Sequence, residues 1–208
     1  MKFNSSLLSL ILVNLIPLAG VFFGWSVLSI LLFYWFESFA VGFFNVIKMY
    51  IAPVIPKGRV NNSPFQGKLA AIITKLIFPQ FFMVHYGGFM TGHLVFILAV
   101  GSISSSGTIS FEGILDELKL IILPAIMLFV SHGYSFFKNF IGKKEFENTS
   151  VAELMFSPYK RIIIMHITLI FGAFITIVTK MPFYIIALFI VLKTFIDVKA
   201  HEKEHMST

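Results

Sequence analysis

The sequence predicts an all-α protein, a polytopic membrane helix bundle of about six transmembrane helices plus one short amphipathic surface helix. Three observations predict it. Hydrophobic residues make up 57% of the chain and charged residues 12%, about half the charge of an average soluble domain. The apolar residues fall into stretches of about 20, the length a helix needs to cross about 30 Å of hydrocarbon. The basic residues lie in the connections between those stretches rather than on one face of a folded domain.

The spans begin near Leu7, Val27, Pro79, Leu118, Ile162 and Pro182. A single Lys2 precedes the first, with no small-residue cleavage site leading into a polar region, so that span is expected to be kept. Phe23-Gly24-Trp25-Ser26 alone separates the first two spans; glycine breaks the helix there and tryptophan suits an interface, which predicts a tight hairpin. Met49 to Lys75 is the longest polar connection, punctuated by Pro53, Pro56, Gly58, Pro64 and Gly67. Its last stretch, Lys68 to Phe78, is expected to be the amphipathic surface helix. Gly101 to Gly113 is a Ser/Gly-rich loop without Lys or Arg. No repeat or second domain is evident, and residues 1–208 are expected to form one transmembrane domain.

Cytoplasmic loops retain Lys and Arg, and this sets the orientation. With the N-terminus inside, Lys2, Lys48, Lys57, Arg59, Lys68, Lys75, Lys138, Lys143, Lys144, Lys160, Arg161, Lys193, Lys199 and Lys203 face the cytoplasm, 14 of the 16 basic residues. Only Lys119 and Lys180 fall outside. The expected location is the cell membrane, multi-pass, with both termini cytoplasmic. The partners implied are the bilayer, anionic headgroups on the cytoplasmic side and a second copy of the chain; the loop placement of the net +6 charge argues against nucleic acid. With no cysteine there is no disulfide, thiolate ligand or cysteine nucleophile.

An ionisable side chain within hydrocarbon costs several kcal/mol unless partnered, so each is a functional candidate. Glu37 lies near the middle of the second span, about 15 Å from either end. It is the candidate catalytic residue, as metal ligand, base or proton carrier; the bland reading is a neutral acid bonded to another helix. His85 on the third span, His132 on the fourth and His166 on the fifth all fall one to two turns from the cytoplasmic end. Three histidines with a carboxylate or water suit an open zinc site, and two facing imidazoles suit haem less specifically. Asn45, Tyr86, Ser131, Tyr134 and Ser135 share that layer, either supporting such a site or acting as ordinary interhelical hydrogen-bonding groups. His85 and His93 are about 12 Å apart along one helix and do not chelate one ion together. Gly88 and Gly92 form a G-x-x-x-G pair suited to close helix packing.

Two catalytic patterns are weaker. His201-Glu202-Lys203-Glu204-His205 satisfies H-E-x-x-H, but in a charged terminal segment without a third ligand. Gly133-Tyr134-Ser135 matches only the first part of a rhomboid-type G-x-S-G serine setting, since Phe136 stands where glycine is needed.

Asn14-Leu15-Ile16-Pro17 with Gly20, Tyr34-Trp35-Phe36-Glu37, His85-Tyr86-Gly87-Gly88-Phe89, Ser131-His132-Gly133-Tyr134-Ser135-Phe136 and Lys193-Thr194-Phe195-Ile196-Asp197 form a set. Together they resemble an uncharacterised family of small bacterial and archaeal integral membrane proteins. The resemblance covers nearly the whole chain and implies no activity. Two functional readings stay open. One is an intramembrane His/Glu metal site reached from the cytoplasm, supporting hydrolysis or redox chemistry. The other is a non-enzymatic transporter, channel or assembly factor that uses Glu37 and the histidines for proton relay or helix packing. A rhomboid-like protease is a further alternative. A polar pathway in both leaflets would favour transport, and the outer half shows little polarity beyond His93.

Overall fold

The architecture comes from a computed structural model that describes residues 22–57, 67–104 and 110–159, together with Ile16, Ala19, Gly20, Ile162, Ile163, His166, Ile167 and Ile170. All regular structure among the described residues is helical: α1 (Val27–Ile51), α2 (Lys68–Ser104), α3 (Phe111–Ser135) and the short α4 (Val151–Phe156). A π turn, Phe136–Ile141, and a 3-10 turn, Glu145–Asn148, separate α3 from α4. Two stretches of these helices, Val27–Ile51 and Lys68–Ala99, are long and apolar enough to cross a membrane. Contacts divide the chain into two units, one of residues 1–34, 96–124 and 164–208 and the other of 35–95 and 125–163.

In the first unit the expected tight turn is present. Phe23 and Trp25 donate backbone N–H bonds to the Ala19 and Gly20 carbonyls, at 3.0 and 2.8 Å, and Gly24 takes φ 81°, a conformation that glycine adopts without a Cβ penalty. The Trp25 ring lies directly on Gly20, where a Cβ would stand 2.3 Å from the indole. Ser26 then starts α1: its hydroxyl accepts the Ser29 N–H at 3.0 Å, satisfying one donor that a helix start leaves open.

In the second unit, α1 packs on α2 through paired small and large residues. Gly42 makes room for the Tyr86 ring; the Tyr86 hydroxyl donates to the Ser38 carbonyl at 2.6 Å, and the Trp35 indole N–H donates to the Met90 carbonyl at 2.7 Å. A phenylalanine cluster joins α1 to α3: Phe129 lies 5.0 Å from Phe44 and 5.4 Å from Phe43 between ring centroids, and Gly133 brings its backbone close to Phe44. Burial of these rings is the main stabilising term of the contact.

Lys68 to Phe78 is not a separate surface helix, because residues 68–104 are one helix with Pro79 inside it. Proline marks a helix start when its missing N–H falls in the first turn. Here the preceding turns are held independently: Thr74 and Pro79 are buried, and the Lys75 ammonium reaches the carbonyls of Met49, Tyr50 and Ala52. That cation satisfies acceptors left open at the C-terminal end of α1 and complements its dipole.

The connection after α1 docks on the segment before α4. Lys57 donates its backbone N–H to the Glu147 carbonyl at 2.9 Å and pairs with the Glu147 carboxylate at 2.8 Å. Val151 N–H reaches the Pro53 carbonyl at 3.2 Å. A capping box begins α4, with the Ser150 hydroxyl accepting from Glu153 N–H and the Glu153 carboxylate accepting from Ser150 N–H.

Candidate functional site

α1 carries the polar residues that its apolar length makes conspicuous. Ser29, Glu37, Ser38 and Asn45 are all buried on it, Glu37 to 5% exposure. Burial of an ionisable group at the middle of a 25-residue apolar helix is costly without compensation, and the surrounding groups must supply it. Asn45, buried further along α1, has its own partner: its Nδ2 donates to the Leu154 carbonyl at 2.8 Å and ties α1 to α4. With the Tyr86 bond to Ser38, two of the layer's polar residues are thus interhelical hydrogen-bonding groups.

The histidines occupy different surroundings. His85 is exposed on α2, stacked on Phe81 at 5.3 Å, edge-on to Phe89 at 5.1 Å and 5.6 Å from the Tyr159 ring. His132 is half-buried on α3, His166 is exposed, and His93 is buried with its ring 6.5 Å from Phe89. Among the described residues, which include Glu37, His85, His132 and His166, no three His, Asp or Glu side chains stand together so as to hold one metal ion. Ser131 and Ser135 are exposed, and the Ser135 hydroxyl accepts from Asn139 Nδ2 at 3.2 Å. Apart from α2's own adjacent backbone and chain neighbours, nothing among the described residues stands within 4 Å of a Cβ built at Gly87, Gly88 or Gly92. Lys180, Lys193, Asp197 and the His201 to His205 motif lie outside the described residues.

A family of unknown function, DUF6498, matches over residues 1–208. The chain belongs to this family. No curated protein and no solved structure matches it.

The DUF6498 chain also holds a buried polar cluster that the sequence reading missed. Ser26 and Ser29 both donate to the Glu117 carboxylate, Ser26 at 2.7 Å. Ser29 is fully buried and Glu117 half-buried. The carboxylate thus accepts two hydroxyls beside the start of α1, where the helix dipole favours negative charge. The available signal was Ser-x-x-Ser at a helix start. Glu117 escaped notice because the fourth span was expected from Leu118, whereas α3 begins at Phe111 and places Glu117 inside its second turn. Glu117→Ala is expected to cost about 1–3 kcal/mol, because it strands a buried hydroxyl, and Glu117→Gln, which keeps an acceptor, clearly less. Thermal unfolding of the purified protein measures both; equal stability of the alanine variant and the parent contradicts the assignment.

Proposed function

We propose that this is a multi-pass integral membrane protein that moves protons, alone or coupled to a solute, with Glu37 as the proton-carrying group. The observation that carries the reading is a buried carboxylate at the middle of an apolar helix long enough to span the bilayer. Six spans, cytoplasmic termini and residence in the cell membrane belong to the same proposal, supported by the distribution of basic residues. The exposed apolar side chains of α2 and α3, such as Val84, Val95, Leu123, Met127 and Val130, fit contact with lipid.

Transport is preferred to a metal-dependent reaction for a specific reason. The proposed outer half of the bundle is no longer poor in polar groups, since Ser26, Ser29 and Glu117 form a hydrogen-bonded cluster there. Buried polar groups on α1 therefore run from its first turn to its last two. The chemistry asked of Glu37 is modest: its oxygens take a proton from one side and release it to the other, alternating between a neutral acid and a partnered carboxylate.

The test is proton flux into pH-dye-loaded vesicles reconstituted with the full chain, with elemental analysis of the same preparation. Flux well above empty vesicles supports the reading. A preparation without flux, carrying stoichiometric zinc that is lost in His85→Ala or His132→Ala, supports a metal site at His85, His132 and His166 with Glu37 instead.

A further inference from the structure

The end of α3 displays a surface that proton movement does not use. The π turn Phe136–Ile141 buries Phe136 and Phe140 and leaves Phe137 67% exposed. Backbone N–H groups of Gly142, Lys143 and Lys144 then bond back to the carbonyls of Phe137, Asn139 and Ile141, at 2.9, 3.0 and 3.1 Å. The turn is tight enough that a Cβ at position 142 would stand 2.6 Å from the Lys138 carbonyl oxygen, and Lys144 closes it in the left-handed region at φ 56°. One helix end therefore presents Lys138, Lys143 and Lys144, all exposed, beside Tyr134 and Phe137. The Lys138 ammonium lies over the Tyr134 ring, 5.2 Å from its centroid. Glu145 and Glu147 are the acidic residues next to these lysines, and Glu147, which also faces Lys144, is paired with Lys57 at 2.8 Å, so the surface keeps a positive balance.

We propose that this surface binds the headgroups of anionic phospholipids, with Tyr134 and Phe137 seated at the membrane interface. The inference rests on the membrane reading above. Three ammonium groups complement phosphate charge, and amphipathic or aromatic rings at a helix end suit the headgroup level. Each lysine near an anionic surface strengthens binding about fivefold, so three together are expected to contribute on the order of a hundredfold.

The experiment titrates the detergent-purified full chain with phosphatidylglycerol or phosphatidylcholine and counts retained lipid by native mass spectrometry. Phosphatidylglycerol is expected to be retained over phosphatidylcholine, and the variant Lys138→Gln/Lys143→Gln/Lys144→Gln to lose that preference. Lys144→Gly, which suits the left-handed backbone, should cost about fivefold and serves if the triple variant does not fold. Equal retention of the two lipids, undiminished phosphatidylglycerol binding by the variants, or full displacement by inorganic phosphate overturns the proposal. An alkaline carbonate wash separates the two failures: release of the chain from membranes overturns the membrane reading, whereas retention with unchanged lipid preference in the variants overturns only the lipid surface.

Discussion

Glu37→Gln is expected to cut proton flux in reconstituted vesicles by roughly tenfold or more while leaving the folded protein intact. Glutamine has nearly the shape of glutamic acid and keeps an acceptor oxygen, so the packing of α1 around this buried position survives. It cannot lose or gain a proton at physiological pH, which removes the step assigned to Glu37. Glu37→Asp retains a titrating group on a shorter stem and should retain part of the flux. If Glu37→Gln carries protons as fast as the parent, Glu37 is a structural hydrogen-bonding group and the proton assignment is wrong. Loss of folding in the glutamine variant, with aspartate equally unfolded, would point the same way.

The second large effect is on stability. A Cβ at Gly42 would stand 2.3 Å from Tyr86 Cε1 and 2.9 Å from Cδ1 and Cζ. The ring cannot simply swing aside, because its hydroxyl is bonded to the Ser38 carbonyl on the same helix as Gly42 and the residue is buried. Gly42→Ala gains a little from helix propensity, about 1 kcal/mol. Against that stand overpacking of about 1–3 kcal/mol and loss or distortion of the buried hydrogen bond. The net expectation is destabilisation, seen as a lower Tm in detergent. Tyr86→Ala alone costs a large buried ring, roughly 3–5 kcal/mol. Adding Gly42→Ala to it should cost nothing further, because the clashing atoms are gone. Additive losses in the double variant would show that the two residues do not share one contact.

These particulars also show what local sequence could and could not reveal. α1 was legible at both ends: a Gly-Trp-Ser break before it, and a polar connection expected from Met49, close to the observed end at Ile51. Glu37 stood out because a lone acid in such a run is costly to bury, and the structure does bury it on α1. The start of α2 was misjudged, since Lys68 and Lys75, followed by Pro79, made residues 68 to 78 look like a separate surface helix. What keeps those turns in the same helix is tertiary, namely the Lys75 ammonium at the end of α1 and the burial of Thr74 and Pro79. Sequence placed His85, His132 and His166 at one depth but said nothing of direction around each helix. The structure leaves His85 exposed among aromatic rings and gathers no metal-binding group from the described residues. Depth follows from counting residues, whereas lateral convergence depends on helix order and rotation, which distant contacts decide. Beyond the misplaced start of the fourth span, the pairing of Glu117 with its serines was out of reach for the same reason, because they lie 91 and 88 residues away in the chain.

The central claim is that α1 crosses the membrane with its buried carboxylate inside. The chain contains no cysteine, so single cysteines report unambiguously. Phe23 precedes α1 and is 84% exposed, Lys57 follows it with its side chain 71% exposed, and Glu112 opens α3 in an exposed position. Labelling of Phe23→Cys, Lys57→Cys and Glu112→Cys with a membrane-impermeant maleimide, in intact and then permeabilised cells, measures the sidedness of each. The account predicts that the cysteines at 23 and 112 react in intact cells and that the one at 57 reacts only after permeabilisation. Reaction of 23 and 57 from the same side would contradict it, because α1 would then not span the bilayer.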